Sequence, residues 1–239
     1  MTTQLQDRTL KALSLVLSYP TSELQKAMPE IGGVLASDSR LTAATRRELR
    51  PLVEALGTTD IYELEERYVM LFDRSRTLSL NLFEHVHGES RDRGGAMVNL
   101  LETYRDWGFE PTTSELPDHL PVLLEFLATL PGHEAQEVLA DAAQIFAAIG
   151  TRLKRRDSDY AAVFSALLQL SGQQIDAVTL TDLLRAPDED PEDLEALDAA
   201  WEETEVRFGP DPNAGCPQVR DMLARMDEPV TPKPGATAE

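Results

Sequence analysis

Three of the four histidines, His85, His87 and His119, fall in two short polar segments, FEHVHGESRDRG at 83–94 and ELPDHLPVLLEFL at 115–127. Histidines interleaved with carboxylates are the vocabulary of metal binding. His85 and His87 stand two apart, so on a helix they point about 200° away from each other. Both reach one metal only if the chain is irregular before Gly88, with Glu84 or Glu89 beside them and Asp118 or His119 as a third ligand. The same histidines serve equally well to satisfy buried backbone groups or helix ends around an interrupted helix. Spacing alone leaves both open.

Other chemistry is harder to find. The sequence has no GxGxxG, GxxxxGK[ST], HExxH or GxSxG string and no EF-hand loop, which disfavours the common nucleotide enzymes and hydrolases. Its single cysteine, Cys216, excludes an internal disulfide framework and any CxxC-based site, and reads as an incidental thiol. Charge placement says more. Arg74, Arg76, Arg91 and Arg93 sit among Asp73, Glu84, Glu89 and Asp92, where guanidinium and carboxylate forks can pair and fix the turns between helices. In the second segment Pro117 and Pro121 stiffen a helix start. Asp118, near that N-terminus, is suited either to capping or to a functional contact.

The elements that position these residues are helical. Val138, Ala142, Ile145, Phe146, Ile149 and Leu153 recur at three-to-four spacing, predicting one helix over 138–153 with a core-facing stripe. Ile61, Leu64, Tyr68, Leu71 and Phe72 repeat the pattern, as do Leu10, Leu13 and Leu17, and again Tyr160, Val163, Phe164, Leu167 and Leu168. Pro20, Gly57, Gly108, Gly132 and Gly172 read as helix stops or turns. No stretch alternates apolar and polar residues for long, and no hairpin turn is present, so the expectation is an all-α protein of nine or ten helices.

At 42% hydrophobic the 239-residue chain can fill a core, and no apolar run or N-terminal signal pattern places it in or across a membrane, predicting a cytoplasmic protein. With 22 Lys plus Arg against 42 Asp plus Glu, the formal charge of −20 opposes nucleic acid and anionic lipid and favours cationic partners. Near residue 186 the composition turns acidic and then Pro/Gly-rich. The expected organisation is one compact multi-helix domain, 1–185, followed by an acidic arm, 186–239, with short helices near 191–205 and 219–226 and a disordered end.

The string from Tyr68 through LFDRSRTLSLNLFEHVHGESRDRGGAMVNLLETY, then ELPDHLPVLLEFL, resembles the NarJ family of nitrate reductase delta subunits, within the broader TorD/DmsD-like group of redox-enzyme maturation proteins. The resemblance extends upstream to LSLVLSYP at 13–20 and downstream to WEETEVRFG and the Gly-Cys-Pro at 215–217, thus spanning most of the chain. The FEHVHGESRDRG block is its most specific part. Ser75 and Gly95 depart from the Gly and Gln more usual there, and neither departure removes a reactive group.

The resemblance implies a TorD-like helical fold and a chaperone rather than an enzyme. Its client would be the apo form of the catalytic, molybdenum subunit of respiratory nitrate reductase, captured partly through an N-terminal twin-arginine-like segment. The chaperone would keep that subunit competent to receive the molybdenum guanine dinucleotide cofactor and an iron–sulfur cluster before membrane docking, binding no cofactor stably itself. It implies a monomer or weak homodimer. Carried over by motif, the client-peptide site falls on Tyr68, Leu71 and Phe72, and on Asp118 and His119. Leu120, Leu123, Leu124 and Phe126 are expected to add groove walls, and Glu84, Glu89 and Glu125 to meet arginines or backbone donors, with His87 and His119 making capture pH-sensitive. Three competing readings are a maturation chaperone for another molybdoenzyme, a helical metalloenzyme using His85, His87 and His119, and a permanent subunit of the membrane complex.

Overall fold

The structure is a computed structural model that describes residues 6–87 and 92–186. Glu89, Arg91, Cys216 and the acidic arm with its expected short helices lie outside the described residues, as does the side chain of His87.

Helix α1 (Arg8–Val16) begins because Asp7 accepts the backbone N–H groups of Thr9 and Leu10, at 3.0 and 3.2 Å, two donors the helix itself leaves unpaired. Thr21 and Thr42 do the same for α2 (Ser22–Ser37) and α3 (Ala43–Thr58), which pack against each other as a hairpin. Gly57 was expected to stop a helix but lies inside α3. A methyl group there would come within 3.3 Å of Met28 Cβ, so the glycine lets α2 and α3 approach closely.

Helix α4 (Ile61–Tyr68) runs into a π-helical turn, Val69–Asp73, and a 3₁₀ turn, Arg76–Leu78. The short α5 (Glu84–His87) and the longer α6 (Asp92–Asp106) follow. Helix α7 (Leu120–Leu127) carries Pro121 in its first turn, as the sequence predicts, and nearly every residue in it is buried. It packs along α1: Asp7 N–H donates to Ala128 O at 2.8 Å, and the Ser14 hydroxyl to Pro121 O at 2.7 Å.

The helix predicted over 138–153 is two helices, α8 (Gly132–Asp141) and α9 (Ala143–Arg155), separated by a turn at Ala142 with ψ near −3°. A one-residue turn redirects the axis and leaves the three-to-four spacing intact, so periodicity cannot reveal it. Helix α10 (Ala161–Ser171) packs against α9 and ends at Gly172, whose φ of 65° is the left-handed cap glycine favours. Helix α11 (Ala177–Leu183) closes the described chain, tied to α9 by the buried Arg152, which donates to Leu183 O at 2.8 Å.

Among the described residues there are thus eleven α-helices and no strand longer than one bridge. The all-α fold is as the sequence predicts. One core runs from Leu10 to Leu167 and draws on every helix from α1 to α10 except the short α5, whose Val86 only packs against its edge.

Candidate functional site: an acidic cleft between α1, α4 and α7

Tyr68 ends α4 and is i,i+4 to Phe72 in the π turn. The widened turn is closed by Arg74 N–H donating to Val69 O at 3.0 Å. These rings belong to an aromatic ladder that runs from the surface inwards. Tyr19 meets Tyr68 edge-on at 5.4 Å between centroids, Tyr68 meets Phe72 at 5.0 Å, and Phe72 meets Tyr160 at 5.0 Å. The Tyr68 hydroxyl is anchored by donating to Leu17 O at 3.0 Å.

Beside the outer end of this ladder lies a cleft of about 370 Å³. Ser14, Ser18 and Tyr19 form one side, Tyr68 and Asp73 a second, and Thr113, Glu115, His119, Pro121, Val122 and Glu125 the third. Three carboxylates therefore face one small volume. Glu125 forms an ion pair with Lys11; Asp73 and Glu115 have no ion pair among the described residues. Burial and the neighbouring Glu115 push the Asp73 carboxyl above its usual range. Burial pushes the His119 imidazole below its ordinary 6.5, with Glu115 opposing, so at neutral pH the ring is uncharged. In chemical terms the cleft offers negative charge and aromatic faces to a cationic group.

His119 is held in place by an isolated antiparallel bridge to Asn81. Leu82 N–H donates to Asp118 O at 3.1 Å and Leu120 N–H to Leu80 O at 2.8 Å. Asp118 is fully buried, and its Oδ2 accepts Phe83 N–H at 2.9 Å, at the entrance to α5. Asp118 thus does not cap α7, the helix it precedes, but fixes the 80s segment against it. Burial raises the Asp118 carboxyl, with the Phe83 hydrogen bond opposing. His85 is spent similarly: its Nε2 lies 2.8 Å from Ser79 O and donates to it, one of the two uses the spacing left open. Tyr104 ties the loop before α7 by donating to Pro117 O at 2.7 Å.

The structure brings together only part of the site drawn from the sequence. Tyr68, His119 and Glu125 line the cleft. Phe72, Leu120, Leu123, Leu124 and Phe126 are at most 4% exposed and belong to the core behind it, so their part in any groove is support rather than contact. Leu71 is half-buried against the same core. Glu84 is not among the residues lining the cleft and pairs instead with Arg93 at 3.0 Å. Tyr19, Asp73 and Glu115 were not among the expected peptide contacts. Tyr19 carried a signal: an aromatic residue directly before Pro20, past the end of an amphipathic helix, has little chance of being core, and it is 44% exposed.

Among the described residues no three His, Cys, Asp or Glu side chains are arranged to hold a metal ion, and no helix is long and apolar enough to cross a membrane.

Comparison with known proteins agrees with this architecture. A solved structure described as a putative redox enzyme maturation protein from Archaeoglobus fulgidus superposes on 70% of this chain and 94% of its own, with a TM-score of 0.51 and 24% identity, a likeness of fold. The Escherichia coli K12 protein named nitrate reductase molybdenum cofactor assembly chaperone NarJ is 40% identical over 226 residues, 94% of each chain. A second protein from that strain, named as the probable chaperone NarW, is 36% identical over the same span, and a Bacillus subtilis protein of the NarJ name is 32% identical over 160 residues, 67% of this chain and 86% of its own. The profile of the family described as nitrate reductase delta subunit matches residues 38–166, which takes in α3 to α9, the first half of α10 and most of the cleft. On both counts the chain belongs to the nitrate reductase delta subunit family.

Proposed function

We propose that this protein is a molybdenum cofactor assembly chaperone for a respiratory nitrate reductase, acting on the apo catalytic subunit and not remaining in the finished enzyme. The names of its relatives support the client. The cleft supports the mode of capture. A short cationic amphipathic segment, such as a twin-arginine-like N-terminus, would lay apolar side chains on Tyr19, Tyr68 and Val122 and bring positive charge to Asp73, Glu115 and Glu125. Apolar contact supplies affinity, and the carboxylates supply orientation and selectivity. Holding that segment keeps the subunit open to insertion of the molybdenum guanine dinucleotide cofactor and an iron–sulfur cluster, and keeps it from docking early on its membrane partner. Asp118, Phe72, Leu123 and Phe126 act from behind by fixing the cleft wall.

The observation that carries this function is the pair of cleft carboxylates, Asp73 and Glu115, without a cation among the described residues in a chain otherwise rich in ion pairs. Isothermal titration with a synthetic peptide of the first 15 or so residues of the cognate catalytic subunit, beside a scrambled control, tests it. The expected result is selective binding at or below about micromolar, equivalent to about −8 kcal/mol. Absence of heat from pH 5.5 to 8, together with failure of the chaperone to co-purify with the cofactor-free subunit, would overturn it.

A further inference from the structure

The cleft is smaller than the ligand its function requires. A volume of about 370 Å³ lies at the lower end of what small-molecule sites offer, whereas a helix of about 15 residues is about 22 Å long. A client segment that seats one turn in the cleft therefore lays most of its length on the surface beside it. The surface that continues from the cleft along α4 has the features of a contact face.

Tyr68, part of the cleft wall, is the last residue of α4; Glu65 stands three residues before it and Tyr62 three before that. Residues so spaced are neighbours on a helix surface, and together the three span about 9 Å of the axis. Glu66, four residues after Tyr62, completes the face. Tyr62 is 75% exposed, more than any other large apolar side chain among the described residues. Its backbone N–H is taken by the Asp60 cap at 3.0 Å, and its ring makes no hydrogen bond or aromatic contact among the described residues, so the fold itself gives the ring no task. Glu65 and Glu66 have no ion pair among the described residues, and Arg67 beside them is engaged by Glu63.

Tyr19 joins this face to the cleft, since its ring meets Tyr68 edge-on. Partial burial, then the charges of Glu65 and of the cleft's Asp73, push the Tyr19 hydroxyl above its ordinary 10, so carboxylates from α4 and from the π turn act on one ring. Charge decides what covers the face. A second copy of a chain carrying −20, the chain's own stretch 188–205, which has no Lys or Arg, and an anionic lipid would each bring negative charge to unpaired carboxylates. A cationic amphipathic helix brings the opposite charge, and its apolar stripe suits an exposed tyrosine, a side chain enriched among the anchors of interfaces.

We propose that the α4 face of Tyr62, Glu65 and Glu66 is the second half of the client site, taking the further turns of the cationic amphipathic helix whose first turn occupies the cleft. Tyr62 is the apolar anchor, and Glu65 and Glu66 face the helix's Lys or Arg side chains. The face rests on the client-peptide function above and makes Tyr62 the residue that reads the client's length.

Peptide length separates the face from the cleft. Wild-type protein and Tyr62→Ser are titrated with the client peptide of about 15 residues and with a truncation of about eight residues around its cationic turn. Tyr62→Ser should weaken the long peptide about tenfold, the loss of one aromatic anchor, and leave the short one unchanged. Its melting temperature should equal that of the wild type, because the ring lies outside the core. Glu65→Gln combined with Glu66→Gln should weaken the long peptide about threefold and lessen its sensitivity to salt. Equal affinity of wild type and Tyr62→Ser for the long peptide refutes the face while the chaperone function stands. A second readout uses the whole client. With the photo-crosslinker p-benzoylphenylalanine in place of Tyr62, or of Tyr19 as the cleft control, irradiation of cells making the apo catalytic subunit should join both variants to its N-terminal segment. Crosslinking from position 19 and none from position 62 overturns the face, whereas failure of both peptides and both crosslinks overturns the capture itself.

Discussion

Carboxylates gather at both ends of α1, and the two ends treat them in opposite ways. At its start Asp7 and Asp38 close on Arg40, with Arg40 Nη1 2.6 Å from Asp7 and Nη2 2.6 Å from Asp38. The hollow there, about 310 Å³, is thus lined by the chain's own guanidinium, already paired with both carboxylates. Burial pushes Asp38 up, but the hydrogen bonds from Arg40 and Thr9 outweigh it and hold its pKa at about 2. At the far end Asp73 and Glu115 face the cleft without such a partner, and Asp73 is pushed up instead. Equal charge therefore performs two tasks. Where a cation is built in, carboxylates fasten the helix start to the α2–α3 connection; where none is, they are destabilised by one another and available to a ligand.

Changes to the shared scaffold should damage both ends. Phe72→Ala removes a ring packed between Tyr68 and Tyr160 and should cost about 3–5 kcal/mol in urea denaturation followed by circular dichroism, with any loss of peptide binding secondary to it. Arg40→Ala should separate the ends. The guanidinium is half-exposed, so the expected cost is reduced to about 1–3 kcal/mol, and peptide affinity should be unchanged. The sign with pH follows from Asp38, whose folded pKa lies below its unfolded one. Its contribution is complete above about pH 4 and is lost as pH falls towards 2, and acid denaturation of Arg40→Ala should lack that increment.

The reverse separation comes from Asp73→Asn combined with Glu115→Gln. Stability should stay equal or rise, because two like charges that raise each other's energy are removed. Affinity for the client peptide should fall about tenfold by titration. A fall in stability would mean the cleft carboxylates are structural after all. The wild-type affinity should also fall as the pH is lowered from neutral into the acid range. Protonation of His119 then puts a cation where the peptide's cation sits, and protonation of Asp73 removes an attraction, so both changes have the same sign, with Glu115 and Glu125 as the other charges facing the ring. His119→Gln should flatten the His119 part of that profile. The smallest effect is expected from Lys11→Met, which frees Glu125 from its partly exposed ion pair. Stability should change by less than about 1 kcal/mol and peptide affinity should rise about twofold.

The helical class, the α1 and α10 stripes and the Pro121 helix start were legible because each is encoded locally, in spacing or in a residue with one strong backbone preference. Ala142 was not, since a single-residue turn keeps the hydrophobic period. Gly57 was misread for the opposite reason: glycine at a close helix contact and glycine at a helix stop look alike until the partner, Met28, is known. In the site, Tyr68, His119 and Glu125 came from motif and charge. The Asn81–His119 bridge had no sequence signal, because it pairs residues 38 apart in the chain. Asp118 was open between capping and contact, and the structure shows it reaching neither its own helix nor the surface but the backbone of Phe83.

The Asn81–His119 bridge also supplies a clock. Its two backbone donors, Leu82 N–H and Leu120 N–H, join the 80s segment to the start of α7 beside the Phe83–Asp118 hydrogen bond, and both residues are buried. Such amides exchange with deuterium only when the segments part, and local parting is separable from global unfolding by its smaller free energy. The exchange rates of Leu82 and Leu120 thus count how often the bridge that holds His119 opens in the unliganded protein.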